Sequence, residues 1–335
     1  MFADHQDSLA GFDLSSVPGQ LLAPLLARER AARRWPGTLE DPTGQLLLRR
    51  LRGLRLRGLR RRAPHPGPSP AAPRGGEPDA GQRADPGADP KTQKKGAEPE
   101  APLPGQGLLS TGPTAEFADL CCLARTRSLD AQVQRFVAEH PRGAIIELKA
   151  GLSTALWRVA PQQAHWCAVD RREVIALRQR LLPTHLRVHG VPSAVTDPAW
   201  PKEVAETLGL RPGDPVLILA PGAFAGLSRE QLRPLMRDLA ARFPGVEVLT
   251  DAATRRGARQ AGTLLGPADG APLPAAHLPA EAASWEADAR VLDSEPLLRE
   301  GPLPAGLSGA TRARARLLRL TGVVRLVRLR LGDPD

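Results

Sequence analysis

A chain of 335 residues with 41% hydrophobic content can hold one large domain with extensions, or two small domains. Its formal net charge of +10, its 35 prolines and its 32 glycines mean that part of it is strongly basic and part cannot pack. Tyrosine is absent and aromatics make up 3%, which argues against a stacking platform for single-stranded nucleic acid. Cys121, Cys122 and Cys167 lack C-x-x-C spacing, so they suggest neither a disulfide framework nor a zinc site, and a reducing compartment is expected. With an acidic N-terminus and no run of 18 apolar residues, the expectation is a soluble, cytoplasmic protein with no transmembrane segment.

In chain order, residues 17–35 predict a helix after Pro18, with Leu21, Leu22, Leu25, Leu26 and Ala32 on one stripe and Pro36-Gly37 ending it. A second short helix is expected from Pro42 to about Leu51. Arg49 to Arg62 holds eight arginines in fourteen positions, interleaved with leucines. It reads either as a surface for an anionic partner, nucleic acid or membrane, or as a solvated, composition-biased extension. Ala63 to Gly105 has eleven prolines and only Leu103 as a large apolar side chain. It cannot offset an ordering cost of about 1–2 kcal/mol per residue and is expected to be disordered. Phe117 to Phe136 predicts a helical region broken around Ser128-Leu129-Asp130, with Cys121 and Cys122 as small core residues rather than reactive thiols.

The chain is organised around Ala144–Asp170. Ala144-Ile145-Ile146-Glu147-Leu148 predicts a strand, Lys149-Ala150-Gly151 a turn, and Ser153 or Thr154 the cap of a following helix. A second strand ends at Val169-Asp170, and Asp170 lies nineteen residues after Gly151, close to the spacing at which α/β folds hold a carboxylate against ribose hydroxyls. Glu173 to Leu182 predicts a helix with Val174, Leu177 and Leu181 inward and Arg171, Arg172, Arg178 and Arg180 outward. His185 and His189 stand at i, i+4 without an acidic partner and read as surface residues, not metal ligands. Ser193 to Asp197 supplies a second acid after a short strand, where a base could be held, and Pro198-Ala199-Trp200 closes the loop.

Pro215 to Ala220 predicts a central buried strand, Ser228 to Gln231 a capping box opening a helix that Pro234 should kink, and Val246 to Thr250 a strand ending at Asp251. After a loose stretch at 257–281, Ala310 to Leu320 predicts a basic helix, and Val323 to Leu331 a final strand near the sheet edge. The alternation predicts a doubly wound, mostly parallel sheet.

The turn Lys149-Ala150-Gly151-Leu152-Ser153-Thr154 has one of the three glycines that a pyrophosphate requires. S-adenosylmethionine has ribose and adenine but no phosphate, so the turn favours a methyl donor over a dinucleotide. The runs Ala144–Arg158, Trp166–Arg178 and Ser193–Trp200 resemble the leucine carboxyl methyltransferase superfamily, and within it the bacterial polyketide O-methyltransferases of the tetracenomycin type. That resemblance is strongest over Thr111 to about Asp251. It implies a class I methyltransferase with a Rossmann-like sheet, an N-terminal helical cap at 1–48, a basic then Pro-rich insertion at 49–108 and the methyltransferase domain at 109–335. The cofactor it implies is S-adenosyl-L-methionine, and the acceptor a hydroxyl or carboxyl of a small, polyketide-like molecule.

Residue by residue, the resemblance makes Arg125 the partner of the donor's carboxylate, Asp170 the ribose-binding acid, and Ala194, Val195 and Asp197 the adenine site. Gly151 matches the second glycine of the family's Gly-x-Gly-Leu-Asp-Thr-Arg loop. Lys149, Ser153 and Ala155 replace its first glycine, aspartate and arginine, and Pro221 replaces an active-site glutamate, while Gly226 replaces a frequent tyrosine. No catalytic residue is assigned. The alternative is a catalytically silent homologue that binds ligand or serves as a scaffold.

Overall fold

In the computed structural model, residues 19–62, 113–224, 227–253, 285–299 and 303–332 are described. The insertion read as disordered, the stretch at 257–281 and Gly226 lie outside the described residues. The chain runs α1 (Gly19–Arg34), α2 (Pro42–Arg62), α3 (Pro113–Glu139), β1 (Ala144–Leu148), α4 (Ala155–Val159), β2 (His165–Asp170), α5 (Arg172–Leu181) and β3 (Val188–Pro192). It continues through α6 (Trp200–Leu208), β4 (Val216–Leu219), α7 (Arg229–Arg242), β5 (Val246–Ala253), β6 (Arg290–Pro296), α8 (Gly309–Thr321) and β7 (Val324–Leu331).

Among the described residues these strands form one seven-stranded sheet of order β3-β2-β1-β4-β5-β7-β6. β1 to β5 are parallel, and β7 inserts antiparallel between β5 and β6. This is the Rossmann-like, doubly wound arrangement that the alternation predicts. Every residue of β1 and β4 is buried, because helices cover both faces of the central strands. On one face Ile146, Ile218 and Val248 pack with Trp200 and Val204 of α6 and Met236 and Leu239 of α7. On the other, Ile145, Leu217 and Leu249 pack with Val133 and Phe136 of α3 and Leu156 of α4.

The N-terminal helices dock beside the turn after β1. Leu22, Leu25, Leu26, Leu47, Leu48 and Leu51 cluster with Leu152 and with Leu177 and Leu181 of α5. Burial of each leucine contributes roughly 1.5–3 kcal/mol. α2 does not stop near Leu51, as the apolar run suggests, but continues to Arg62. Its early arginines have partners: Arg50 Nη1 donates to the Leu181 carbonyl (3.0 Å), and Arg52 pairs with Glu29. The cation at the end of α5 complements that helix's dipole.

One other expectation needs correction. α3 is unbroken across Ser128-Leu129-Asp130, since Leu129 is buried in the core and Asp130 receives both arms of the Arg158 guanidinium (2.7 and 2.9 Å). β7 lies near the sheet edge, as expected, but is paired on both sides, with β5 and with the edge strand β6. Its alternating arginines are not all solvated: Arg328 is 5% exposed and its charge is met by Glu247 on the neighbouring β5. The helix after the Pro198-Ala199-Trp200 loop and the edge strand β6 have no counterpart in the sequence reading. α7 runs through Pro234 and opens at Ser228, whose N–H donates to the Gln231 side chain (2.9 Å), as the capping box predicts.

Cys121 is a buried free thiol, as expected of a core residue, while its neighbour Cys122 is half-buried; Cys167 is buried as well. Burial pushes the Cys167 thiol up to about 12, and burial beside Cys122 pushes Cys121 up as well. Because the thiolate is the reactive form, neither should be alkylated by iodoacetamide at pH 8 in the folded protein, while both react in denaturant. Peptide mapping that finds either one labelled at the rate of the unfolded chain would contradict this.

Candidate functional site

The sheet order reverses between β1 and β4, which leaves a crevice at their carboxyl ends where open α/β sheets bind ligands. The register brings the expected residues to one row there. Leu148 pairs with Val169, so Lys149 follows beside Asp170; Asp170 itself pairs with Pro192, beside which Ser193 and Ala194 begin the next loop. Glu147 pairs with Leu219 and Leu219 with Leu249, so two residues on come Lys149, Pro221 and Asp251. Strand pairing alone therefore assembles residues that lie more than 100 positions apart in sequence.

The turn after β1 is tightly specified. Lys149 and Gly151 both have positive φ, 48° and 49°, a conformation that costs an L-residue roughly 1–2 kcal/mol. The glycine that the family motif places at position 149 would avoid that cost. Lys149 is exposed. The Gly151 N–H donates to Asp170 Oδ2 (2.9 Å), and the Arg171 N–H donates to Asp170 Oδ1 (2.7 Å). Two N–H bonds fix the carboxylate of Asp170, which is 7% exposed, and each oxygen retains acceptor capacity.

Ser153 and Thr154 do not act as a simple helix cap. Ser153 Oγ accepts the Ala155 N–H at 3.2 Å, while Thr154 makes no capping bond. The Thr154 hydroxyl instead donates to Asp41 Oδ2 (2.8 Å) and accepts from Arg28 (3.3 Å) and Arg158 (2.7 Å). Asp41 also pairs with Arg28 Nε (3.0 Å) and accepts the Gly44 N–H (2.9 Å) at the start of α2. A buried ionic network thus ties the α1–α2 connection to the turn.

Arg178 is the residue that sequence reasoning misplaced. It is 6% exposed and points inward, where Nη1 donates to the carbonyls of Gly151 (2.8 Å), Ala150 (3.2 Å) and Ser153 (3.3 Å). Burial pulls its guanidinium below the ordinary value, and the Glu147 and Asp170 carboxylates pull it back up. The signal was present: position 178 is four residues after Val174 and three before Leu181, on the stripe that also carries Leu177.

Across the crevice, Arg125 of α3 forms an ion pair with Asp251 (2.9 Å), and Asp251 Oδ1 accepts the Gly222 N–H (2.6 Å). The Arg125 side chain is 14% exposed and lies beside the turn after Pro221, since a Cβ at Gly222 would stand 3.4 Å from its Nη2. Asp251 was read only as the end of a strand, and its place in the row follows from β4–β5 register. After β3, Ala194 is exposed, Val195 packs into the core with its carbonyl accepting the Trp200 indole N–H (3.1 Å), and Asp197 is exposed and accepts the Ala199 N–H (2.9 Å).

No family model matches the chain. It is 30% identical over 129 residues to the tetracenomycin polyketide synthesis O-methyltransferase TcmP of Streptomyces glaucescens. The match takes in 38% of this chain and 46% of that protein, so the chain spans about half the length of this curated relative. Among solved structures it is similar to a methyltransferase described as putative from Thermobifida fusca (TM-score 0.46, 16% identity, 66% of this chain and 87% of that one). It is also similar to a duf574 family protein from Streptomyces avermitilis (TM-score 0.49, 17% identity, 69% and 92%). The chain has a Rossmann-like, doubly wound sheet and is similar, over 129 residues, to a tetracenomycin-type polyketide O-methyltransferase.

Proposed function

We propose that the chain binds S-adenosyl-L-methionine in the crevice at the carboxyl ends of β1 and β4 and transfers its methyl group to a hydroxyl or carboxyl oxygen of a small, polyketide-like acceptor. The observation that carries this reading is the row itself, with an oriented carboxylate, Asp170, at one end and the Arg125 guanidinium at the other. The fit is chemical. Asp170 retains acceptor sites for two vicinal hydroxyls, a guanidinium fork suits a carboxylate, and the turn offers no glycine-rich nest for a pyrophosphate.

In this reading Asp170 holds the ribose, Arg125 the amino-acid carboxylate, Gly151 and Lys149 the turn beneath, and the Ala194–Asp197 loop the adenine. Pro221 lines the wall between them. Bound there, the donor supplies an electrophilic methyl group on a sulfonium. The protein's part is to hold an acceptor oxygen in line with it and to exclude water, and such positioning alone can supply much of the acceleration. The second reading, a silent homologue, is favoured by one feature: Pro221, in the middle of the row, can neither ionise nor donate. The partner proposed for Arg49–Arg62 is an anionic surface, on the strength of its charge alone.

Calorimetry with S-adenosylmethionine, followed by mass analysis of candidate phenolic acceptors, tests both readings. Saturable one-to-one binding with methylated product supports the enzyme, binding without turnover supports a silent ligand-binding homologue, and no binding sinks both and leaves only the scaffold. Lys149→Gly is expected to tighten donor binding, because it removes a side chain and a cation beside a cationic ligand; relief of the positive φ stabilises free and bound protein alike. The gain is about tenfold if roughly 1.4 kcal/mol is recovered. An equal or weaker affinity in the glycine variant would show that the lysine does not hinder the site.

A further inference from the structure

The geometry points to Arg178 as a positioning residue of the donor site, acting through the turn and not by touching the ligand; this rests on the donor reading above. The turn has its peptide groups held from two sides. Asp170 takes the Gly151 N–H at 2.9 Å, and Arg178 Nη1 faces the carbonyl oxygens of Ala150, Gly151 and Ser153 at 3.2, 2.8 and 3.3 Å. Three carbonyl oxygens converge on one nitrogen only if the backbone between them is folded back on itself, and the positive φ of Gly151 provides that fold. A charged donor makes such contacts about twice as strong as neutral ones.

A structural role elsewhere does not account for this placement. α5 already docks through Val174, Ile175, Leu177 and Leu181. An apolar residue at 178 would serve that packing without the cost of burying a guanidinium. What the guanidinium adds is specific to the turn. It neutralises carbonyl dipoles crowded together, and it sets a positive charge near Asp170, whose carboxylate favours the charged form of Arg178. Removing it would leave the turn free to relax away from the conformation that lets Asp170 and Gly151 share a hydrogen bond.

The test compares Arg178→Met and Arg178→Lys with Arg328→Met, a control that deletes another buried arginine whose partner is Glu247, outside the crevice. S-adenosylhomocysteine is titrated into each, and amide exchange is followed at residues 150–154. Arg178→Met is expected to weaken binding by about tenfold or more and to speed exchange at Gly151. Arg328→Met should lower the melting temperature and leave both readouts in place. If Arg178→Met does not fold, Arg178→Lys keeps a charge but loses the fork, and it should show the same two effects in smaller measure. Wild-type affinity in a folded Arg178 variant overturns the assignment. If the wild type binds no adenosyl ligand, the donor reading falls and the assignment to its site with it. Even then the exchange data separate the two: wild-type Gly151 exchange in a folded Arg178→Met shows that the turn never depended on Arg178, and faster exchange shows that it did.

Discussion

Asp41→Ala is expected to destabilise the fold by about 3–5 kcal/mol, the range for breaking a buried ion pair by removing one partner. Asp41 is 6% exposed, and its carboxylate is the meeting point of four groups: Arg28, the Thr154 hydroxyl, Arg158 at 3.6 Å and the Gly44 N–H. Alanine leaves the Arg28 guanidinium buried without its counter-charge and strips the start of α2 of its cap. Arg158 retains Asp130, so the damage centres on the contact between the N-terminal helices and the turn. Melting followed by circular dichroism should show a drop on the order of 10 °C for a fold of this size. Asp41→Asn keeps an acceptor and the shape, and should lose less. A midpoint for the alanine variant within two degrees of wild type would mean that the network contributes little and that the leucine cluster alone docks α1 and α2.

How much of this was legible in the sequence follows from where each signal comes from. β1, β2, β4 and β5 announce themselves because a strand covered on both faces is mostly apolar and rich in β-branched residues, and the short runs at 144–148 and 216–219 have few alternatives. Asp170 was legible because its distance from the turn reflects one βαβ step. β6 was not: Arg-Val-Leu-Asp-Ser-Glu-Pro has no period, its residues are exposed or half-buried, and it is a strand only because β7 pairs with it. α6 was hidden because Trp200-Pro201 reads as a loop ending, although proline at the first turn of a helix gives up no hydrogen bond.

Two buried arginines escape local pattern for one reason. Residue type alone points Arg178 and Arg328 to solvent, and in both places the fold supplies what makes a buried guanidinium tolerable: carbonyl oxygens in one case and Glu247 in the other. Those partners lie 25 to 28 residues from Arg178 and 81 from Arg328, beyond the reach of local pattern. The site's second acid, Asp251, was equally invisible as a site residue, since its role depends on Arg125 arriving from α3. Motif spacing reaches one supersecondary unit; the row across five strands is a property of register.

Asp170→Ala is expected to weaken S-adenosylmethionine binding by about 1–3 kcal/mol, the range for hydrogen bonds to a charged group, which is roughly five- to 150-fold in affinity. Two losses combine: the acceptor for the ribose, and the bond that fixes the Gly151 N–H. Asparagine is not a mild replacement at this position. Both carboxylate oxygens accept backbone N–H groups, from Gly151 and Arg171, so either orientation of an amide sets its NH₂ against another donor. Asp170→Asn should therefore also lose affinity and should loosen the turn, with faster exchange at Gly151 or Arg171 according to which contact is given up. Asp197→Ala provides the contrast: its side chain is exposed and its one bond closes a local turn with the Ala199 N–H, so the variant should lose less than Asp170→Ala. A dissociation constant for Asp170→Ala equal to that of the wild type would remove this carboxylate from the donor site and with it the central support for placing a nucleoside at the end of β2.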